Sequence, residues 1–201
     1  MTTDSEDAYR EWCNVLRASG SIIYETFYGL SRTQLTCSHK SCNHQPKPVY
    51  SPFLELRLIM PQKNKRCSLT DLIRDMVKSD RSEHANCEKC KRRNTIQSQF
   101  SLARLPPALI LHLVRFTEEG RPKRANWVDF DDTLDICSIL GATSPSKWIY
   151  KLNCVVNHTG SCFTGHNWVS CHNEEQGCWY DINDSHVSRI DKAAVCTENA
   201  Y

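Results

Sequence analysis

The spacing of apolar and polar residues along the chain predicts a few helices among many strands. Residues 7–20 repeat apolar side chains at helical intervals and end on Gly20, which suits a helix stop. Residues 68–79 fit a second helix with Ser68 as its N-cap, and residues 21–30 fit a short helix or a strand end. Four strands, with a break at Pro106-Pro107, are predicted at residues 32–38, 50–60, 94–105 and 107–116.

The second half of the chain is predicted to consist almost entirely of strands. Runs of apolar and β-branched residues mark strands at 127–136, 148–157, 166–172 and 178–183. Residues 173–177 read as the turn between the last two strands, and residues 141–146 read as an exposed loop. This order of elements predicts an α+β fold dominated by antiparallel sheet.

Length, charge and composition narrow the class of protein. At 201 residues the chain can form one domain with a substantial core, with or without a small lobe. The net charge is only +2, and the basic runs at 89–93 and 121–124 are short, so nucleic acid is not a favoured partner. The N-terminus is acidic, and no stretch has the roughly 18 apolar residues that cross a bilayer. We therefore expect a cytosolic or nuclear protein that does not enter a membrane.

Twelve cysteines are many for a chain without a secretory signal. A disulfide framework is typical of secreted proteins, whereas in a reducing compartment the same residues indicate a metal or catalysis. Cys87 and Cys90 form a Cys-x-x-Cys pair, in which two thiolates can converge on one tetrahedral ion. Cys37 and Cys42, with four residues between them, could supply the second pair, because each pair adjoins a predicted strand. These four cysteines predict a structural zinc site.

Three alternatives to this zinc site remain open at the level of the sequence. His39 or His44 could replace Cys42 as a ligand, because the first pair is loosely spaced. One pair could be incidental and the site empty, or Cys87 and Cys90 could be redox-active, although no βαβ pattern surrounds them. Five other cysteines in apolar or capping settings are expected to be structural or inert: Cys13, Cys67, Cys137, Cys154 and Cys196.

One histidine has a candidate partner for catalysis. His166 follows a glycine at the start of a predicted strand, and the next strand, 178–183, should pair with it as a hairpin. Asn183 would then lie beside His166, the arrangement in which an amide fixes the tautomer of an imidazole that acts as a general base. A lone histidine in a hairpin is nevertheless more often structural. The other histidines of this region have weaker claims to catalysis: His158, His172 and His186.

The order of these segments resembles the catalytic domain of ubiquitin-specific proteases, a family of papain-like cysteine deubiquitinases. The resemblance runs from about residue 6 to residue 201 and rests on motifs in register: SIIYETFYG, QLTCSHKSC, YSPFLELRLIMP, SLTDLI, CEKCKRRNTIQSQFSLARLPPALILHLVRF, WVDFDDTLDI, YKLNCVVNHTGS, Gly165-His166 and W-x-x-x-N-D at 179–184. It implies a partial papain-like cysteine peptidase fold with an antiparallel palm sheet, zinc-bearing fingers and little of the thumb. Residues 1–30 would end the thumb and begin the palm, 31–100 would form the fingers, and 101–201 would form the palm.

The resemblance also implies a role for each candidate residue. His166 matches the general base, Asn183 matches the residue that orients it, and Asp184 matches an acidic residue that supports the site. The cysteines that bind structural Zn²⁺ at the fingertips match Cys37, Cys42, Cys87 and Cys90. In such enzymes the base deprotonates a cysteine, and the thiolate attacks the carbonyl of the C-terminal glycine of ubiquitin. Water then hydrolyses the acyl-enzyme. Ubiquitin or ubiquitinated proteins would be the partners.

Three features depart from the family pattern. Nothing matches the nucleophile motif Asn-x-Gly-Asn-Thr-Cys, and Cys13, within a predicted helix, is not a substitute. Asn167, followed by Trp168, stands where an aromatic residue usually follows the base, and the sequence stops at Tyr201, before the family's last strand. We therefore expect the 201 residues alone to be inactive. They would be either a fragment of an active deubiquitinase or a non-catalytic relative that binds ubiquitin or another partner.

A third class of function is a zinc-ribbon protein that binds nucleic acid. It would rest on the Cys-x-x-Cys pair together with the basic residues beside it, Lys89, Lys91, Arg92 and Arg93. These charges are more readily explained as a solvated strand edge, so this class is the remotest of the three.

Overall fold

The computed structural model describes residues 3–62, 65–78, 81–116, 123–140 and 148–201. The helices are α1 (Thr3–Ser19), α2 (Ile22–Phe27), α3 (Leu69–Lys78) and α4 (Ile136–Leu140). The strands are β1 (Gly29–Cys37), β2 (Val49–Phe53), β3 (Glu55–Ile59), β4 (Cys67–Ser68), β5 (Arg81–Asn86), β6 (Arg93–Arg104), β7 (Ile110–Val114), β8 (Val128–Asp129), β9 (Thr133–Asp135), β10 (Ile149–Lys151), β11 (Cys154–Gly160), β12 (Gly165–Asn173), β13 (Cys178–Asn183) and β14 (His186–Ile190). The loop expected at 141–146 lies outside the described residues.

The chain divides into two compact units. Unit 1 is Met1–Leu56 with Asp75–Ile110, and unit 2 is Arg57–Arg74 with Leu111–Tyr201. Unit 1 holds an antiparallel sheet in the order β2-β1-β6-β5, and unit 2 holds one in the order β11-β12-β13-β14. The short pairs β9–β10 and β4–β8 also lie in unit 2, as does most of the β3–β7 pair. The predicted α+β class dominated by antiparallel sheet is confirmed.

The longer helices follow the signals that predict them. A Cβ on Gly20 would lie 2.3 Å from the carbonyl oxygen of Leu16, so a glycine is needed where the chain leaves α1. The hydroxyl oxygen of Ser68 accepts from the amide of Asp71 at 3.1 Å, which caps α3 as predicted. None of the described helices is long and apolar enough to span a membrane.

Helix α1 packs within unit 1 through a tryptophan. Trp12 is buried, and the guanidinium carbon of Arg104, at the end of β6, lies 3.9 Å from its ring centroid. Arg104 also donates to the carbonyl oxygen of Tyr28 at 3.0 Å. This cation–π contact with a fixed guanidinium ties α1 to the sheet of unit 1.

Three predicted strands are divided in the structure. Residues 50–60 form β2 and β3, which separate at Leu54 and pair with different strands, β1 and β7. Residues 127–136 form β8, β9 and the first residue of α4, while residues 148–157 form β10 and the first part of β11. A continuous apolar run predicts an extended segment correctly, but it carries no information about where the segment changes its partner.

Apart from the two-residue β4, two strands are missed by the sequence pattern, β5 and β14. Their sequences, RSEHAN and HVSRI, are largely polar and lack a clear apolar alternation. Each lies at the edge of its sheet, where β5 pairs with β6 and β14 pairs with β13. An edge strand is held mainly by backbone hydrogen bonds on one side, so its side chains need not follow the pattern of a buried strand.

The end of the chain is anchored within unit 2 by a buried arginine. Arg115 is fully buried and donates to the carbonyl oxygens of Ala200 at 2.7 Å, Arg124 at 2.8 Å and Asn126 at 2.9 Å. Residues 199–201 in turn form backbone hydrogen bonds with β11. Backbone carbonyl dipoles therefore stabilise this buried charge and fix the last residues against the sheet.

Candidate functional site

Four cysteine sulfurs meet in unit 1 beside the ends of neighbouring strands. Cys37 closes β1, Cys42 lies in the loop that follows, and Cys87 and Cys90 lie in the loop between β5 and β6. β1 pairs with β6 as far as Cys37 opposite Ile96, which brings the two loops together. The four Sγ atoms all lie within 4.8 Å of one another. The two predicted pairs therefore form a single cluster.

The two cysteine loops have the same backbone hydrogen-bond pattern. In each loop, the amide of the first cysteine donates to the carbonyl oxygen two residues beyond the second cysteine, namely Cys37 to His44 at 2.9 Å and Cys87 to Arg92 at 3.0 Å. The residue directly after the second cysteine has a positive φ in both, 42° at Asn43 and 57° at Lys91. The first loop, with four residues between its cysteines, therefore ends in the same backbone conformation as the second loop. Both of its cysteines still reach the cluster.

The backbone of the second loop favours a thiolate. The amides of Cys90 and Lys89 donate to the Cys87 sulfur and, against the effect of burial, lower the pKa of Cys87 to about 7. Burial raises the pKa of Cys42 to about 11. A cation among the four sulfurs would favour the deprotonated form of each thiol, which is the form that ligates metals.

The sulfur positions fit a tetrahedral metal ion. Four thiolates at about 2.3 Å from an ion such as zinc, at tetrahedral angles, stand about 3.8 Å apart. The sulfurs of Cys42 and Cys87 are 3.8 Å apart. All twelve cysteines lie among the described residues, and none of them forms a disulfide. These four cysteines are the residues that could hold a metal.

Cys42, rather than a histidine, completes the cluster. Among the described residues the group contains the Cys42 sulfur and neither His39 nor His44. The His39 ring is engaged elsewhere, with the Ser41 hydroxyl 2.9 Å from Nδ1 and the Arg92 guanidinium 2.8 Å from Nε2. A ring whose two nitrogens already have partners cannot also supply a ligand.

His166 and Asn183 meet across the β12–β13 hairpin of unit 2. Val169 pairs with Ile182, so His166 and Asn183 project from the same face of the sheet as diagonal neighbours. The Nε2 atom of His166 lies 2.6 Å from Oδ1 of Asn183. The predicted proximity is confirmed, whereas the catalytic role of the pair stays a prediction. An amide oxygen can only accept, so Nε2 carries the hydrogen and Nδ1 keeps a lone pair.

Asp184 lies at the edge of this site. Its carboxylate is 3.9 Å from Nε2 of His166, and its side chain is 78% exposed. It opens the two-residue turn between β13 and β14 with a φ of 52°, a conformation that Asp adopts more readily than most residues. Water therefore screens its charge strongly, and its electrostatic influence on the imidazole is weak.

The glycine before His166 is required by close packing. A Cβ on Gly165 would lie 2.2 Å from Nε2 of His158 and 2.6 Å from the carbonyl oxygen of Thr159. The His158 ring is itself packed against Phe116 and Tyr201, with centroid separations of 5.7 and 5.4 Å. Gly165 thus lets β12 approach β11 at the point where His166 begins its strand. His158, a weaker candidate from sequence, has a packing role.

A buried hydrogen-bond network lies on the same face as His166 and Asn183. The Asn157 and Ser170 side chains are almost fully buried. Thr197 donates to Oδ1 of Asn157 at 2.6 Å, Asn157 donates to the Ser170 hydroxyl at 3.4 Å, and Ser170 donates to the Asp181 carboxylate at 2.6 Å. The network spans β11, β12 and β13 and so fixes the register that places His166 beside Asn183. Sequence reasoning missed it, although single polar residues inside apolar strands were its signal.

Solved structures with this arrangement of elements identify the fold of the protein. A chain of the yeast SAGA DUB module, solved with a mutant of Sgf73, aligns over 96% of this chain and 43% of its own length, at 25% identity and a TM-score of 0.75. The SAGA DUB module of Ubp8, Sgf11, Sus1 and Sgf73 bound to monoubiquitin contains a chain that aligns over 98% of this one and 46% of its own, at 24% identity and a TM-score of 0.72. The fold is that of the papain-like cysteine peptidases.

The sequence comparisons identify the family. A family model for ubiquitin carboxyl-terminal hydrolases matches residues 3–201, and the chain belongs to this family. Ubiquitin carboxyl-terminal hydrolase 2 of Homo sapiens is 30% identical over 205 residues, which cover 98% of this chain and 33% of the relative. A probable ubiquitin carboxyl-terminal hydrolase of Acanthamoeba polyphaga mimivirus is 26% identical over 204 residues, 97% of this chain and 43% of the relative. The chain thus spans about a third of the length of the human relative.

Proposed function

We propose that this chain is the fingers-and-palm part of a cysteine-type deubiquitinase that hydrolyses the bond after the C-terminal glycine of ubiquitin. The observation that carries the proposal is the 2.6 Å contact between Nε2 of His166 and Oδ1 of Asn183, in a chain that belongs to the ubiquitin carboxyl-terminal hydrolase family. The monoubiquitin-bound SAGA DUB module supports ubiquitin as the partner. We place the fingers at residues 31–100, the palm at 101–201, and the end of the thumb with the entry to the palm at 1–30, in a protein of the cytosol or nucleus.

His166 is the general base in the proposed mechanism. Its Nε2–H donates to Asn183, so the lone pair on Nδ1 accepts the proton of the nucleophilic thiol. The resulting thiolate attacks the carbonyl carbon of the C-terminal glycine of ubiquitin, and the imidazolium returns the proton to the leaving amine. The same imidazole then activates the water that hydrolyses the acyl-enzyme. Asn183 holds the ring in place, and the exposed Asp184 adds a small stabilisation of the imidazolium.

The nucleophile of this mechanism is proposed to lie outside the 201 residues. No segment of the sequence has the form Asn-x-Gly-Asn-Thr-Cys. Among the described residues, the polar side-chain contacts of His166 are those with Asn183 and Asp184, and neither is a nucleophile. Because the chain spans about a third of the human relative, a further segment is the natural source of the cysteine.

We propose that the four-cysteine cluster holds a structural Zn²⁺. The support is the set of donor atoms: four sulfurs lie within 4.8 Å of one another, in two loops that have the same backbone hydrogen-bond pattern. Soft thiolates in a tetrahedral arrangement favour zinc over the harder divalent ions. A bound zinc ion would cross-link the two loops and would take no part in the chemistry on a substrate.

An electrophilic ubiquitin probe tests the proposed activity. The purified 201-residue chain should not be labelled, because the base has no nucleophile, and the longer protein that carries the motif should be labelled at that cysteine. Labelling of the short chain at one of its twelve cysteines would overturn the assignment of the nucleophile to another segment. A longer protein that contains the motif and remains unlabelled would overturn the proposed activity.

A second candidate function is a non-catalytic module that binds ubiquitin. The observation that favours it is the lack of a nucleophile motif in a chain with an ordered His166–Asn183 pair. Coding sequence upstream of Met1 separates the two candidates, since an in-frame Asn-x-Gly-Asn-Thr-Cys segment favours the enzyme. A native start at Met1 together with measurable ubiquitin binding in a titration favours the module.

A further inference from the structure

A pair of cysteines faces each other across the β11–β12 hairpin of unit 2. Cys154 and Cys171 are directly opposite in the register of the two strands, and their sulfurs are 3.6 Å apart. Cys154 is exposed and Cys171 is partly exposed. Neither residue belongs to the four-cysteine cluster, and neither takes part in the proposed mechanism.

The backbone places this pair where a disulfide can form. The amide of His172 donates to the carbonyl oxygen of Asn153 at 2.8 Å, so the neighbouring positions 153 and 172 form a hydrogen-bonded pair. The next pair along an antiparallel ladder is not hydrogen-bonded, and its Cα atoms are about 4.5 Å apart. That separation lies within the range of roughly 4.4 to 6.8 Å that disulfides span, so no movement of the strands is needed.

We propose that Cys154 and Cys171 form an oxidation site, at which a peroxide converts the two thiols reversibly into a cross-strand disulfide. One thiolate attacks the peroxide, the O–O bond breaks, and a sulfenic acid forms, while the departing hydroxide takes up the proton that this thiol had released and becomes water. The second sulfur then attacks the sulfenic sulfur, the S–S bond forms, the S–O bond breaks, and the departing hydroxide takes the remaining thiol proton as water. A dithiol reductant reverses the change by thiol–disulfide exchange.

The local environment sets how this site responds to pH. Desolvation of the sulfur, together with the neighbouring Cys171 thiol, raises the pKa of Cys154 to about 12, although the residue as a whole is exposed. Because only the thiolate is nucleophilic, Cys154 is slow to react at neutral pH and reacts faster as pH rises. The cross-link, once formed, ties β11 to β12 covalently and restricts the unfolded chain.

The test uses the zinc-loaded 201-residue chain treated with hydrogen peroxide, then blocked with an alkylating reagent and digested with chymotrypsin. Cleavage after Phe163 and Trp168 separates Cys154 from Cys171, so a disulfide between them joins two peptides that mass spectrometry detects. The linked peptides should appear in the wild type and disappear after treatment with dithiothreitol. Cys154→Ser and Cys171→Ser should each abolish them.

Cys162→Ser is the matched control, because Cys162 is an exposed cysteine of the same hairpin and of the same digestion product as Cys154. This variant should keep the linked peptides. A wild type without them under peroxide would overturn the proposal, and so would linked peptides that persist in Cys154→Ser. A second readout is the midpoint of thermal unfolding, which should be higher for the oxidised than for the reduced wild type and should not differ in Cys154→Ser.

Discussion

The two candidate sites of this protein are held in place in different ways. The cysteine cluster of unit 1 is assembled from two loops, and its members Cys42 and Cys87 are 45 residues apart in sequence. The His166–Asn183 pair of unit 2 spans 17 residues and lies on adjacent strands above a buried hydrogen-bond network. The first site brings four titratable thiols together, which the proposed zinc ion would stabilise, whereas the second is ordered by the sheet alone. Loss of a ligand should therefore disassemble the first site and leave the second intact.

The largest expected effect tests the chemistry of the second site. In the longer protein that carries the nucleophile, His166→Ala should lower kcat on the order of 10⁴-fold or more, because the base acts as a unit with the thiol. Asn183→Ala should cause a smaller loss, since the amide orients the ring and carries no charge. Hydrolysis of a fluorogenic ubiquitin substrate measures both. His84→Ala, at an exposed histidine of β5, is the control that should retain activity. Equal and negligible losses in all three would refute the assignment.

The next effect breaks the first site. Cys87→Ser should lower the zinc content from one ion per chain and unfold the two cysteine loops, because zinc binding supplies about 10–16 kcal/mol in structural sites of this kind. Metal analysis and hydrogen exchange at residues 37–44 and 87–92 measure the change, and exchange in β12 and β13 should stay slow. Cys13→Ser, on α1, should keep both the metal and the loops. A wild-type chain that is metal-free and protected from exchange at these loops would contradict the zinc site.

A smaller effect sharpens the role of the sheet in the second site. Gly165→Ala should destabilise the chain by about 1–3 kcal/mol, because the new methyl group meets the His158 ring and the Thr159 carbonyl at less than van der Waals distance. Urea unfolding followed by tryptophan fluorescence measures this cost. Gly177→Ala is the matched control, with a φ of +63° but nothing within 4 Å of the new Cβ, and should cost only about 1 kcal/mol. Equal costs would show that packing against His158 is not the reason for the glycine.

The smallest effect concerns Asp184. Its carboxylate is 3.9 Å from Nε2 of His166 and its side chain is 78% exposed, so Asp184→Asn should lower kcat of the longer protein less than about threefold. The loss should shrink further at high salt, because solvent screens an exposed charge. A loss of the same size as that of Asn183→Ala would show that Asp184 contributes as much as Asn183 to the function of the base.

Much of the sheet structure is predictable from the sequence, because it depends on local patterns. The strand at 178–183 agrees with β13, and the turn predicted at 173–177 lies at 174–177. β12 extends its prediction by one residue at each end, so residue 173 belongs to the strand. The division of residues 50–60 into β2 and β3 is not predictable, because both halves are extended and differ only in their partners. The polar edge strands β5 and β14 are not predicted because they lack an apolar pattern. Backbone pairing rather than side-chain burial makes them strands.

The residues of the two candidate sites can be predicted from the sequence, but the contacts that surround them cannot. The Cys-x-x-Cys spacing and the hairpin order bring out the four cysteines and the His166–Asn183 pair. The hydrogen bonds that link Asn157, Ser170 and Asp181 form only when three strands pair in one particular register. The sequence of a single strand does not determine that register. The Cys154–Cys171 contact depends on the same register and could not be read from the two isolated cysteines.

The long sequence separation within the cysteine cluster has a consequence for the order of folding. A contact between residues 45 apart requires a larger loop closure than one between residues 17 apart, so the β12–β13 hairpin can form before β1, β5 and β6 have met. The Cys87–Cys90 loop, however, is local and can take up an ion with two thiolates while Cys37 and Cys42 are still apart. An ion held in this way would act as a nucleus for the sheet of unit 1. The rate of refolding should therefore depend on the metal concentration during the reaction, and not only on its presence at the end.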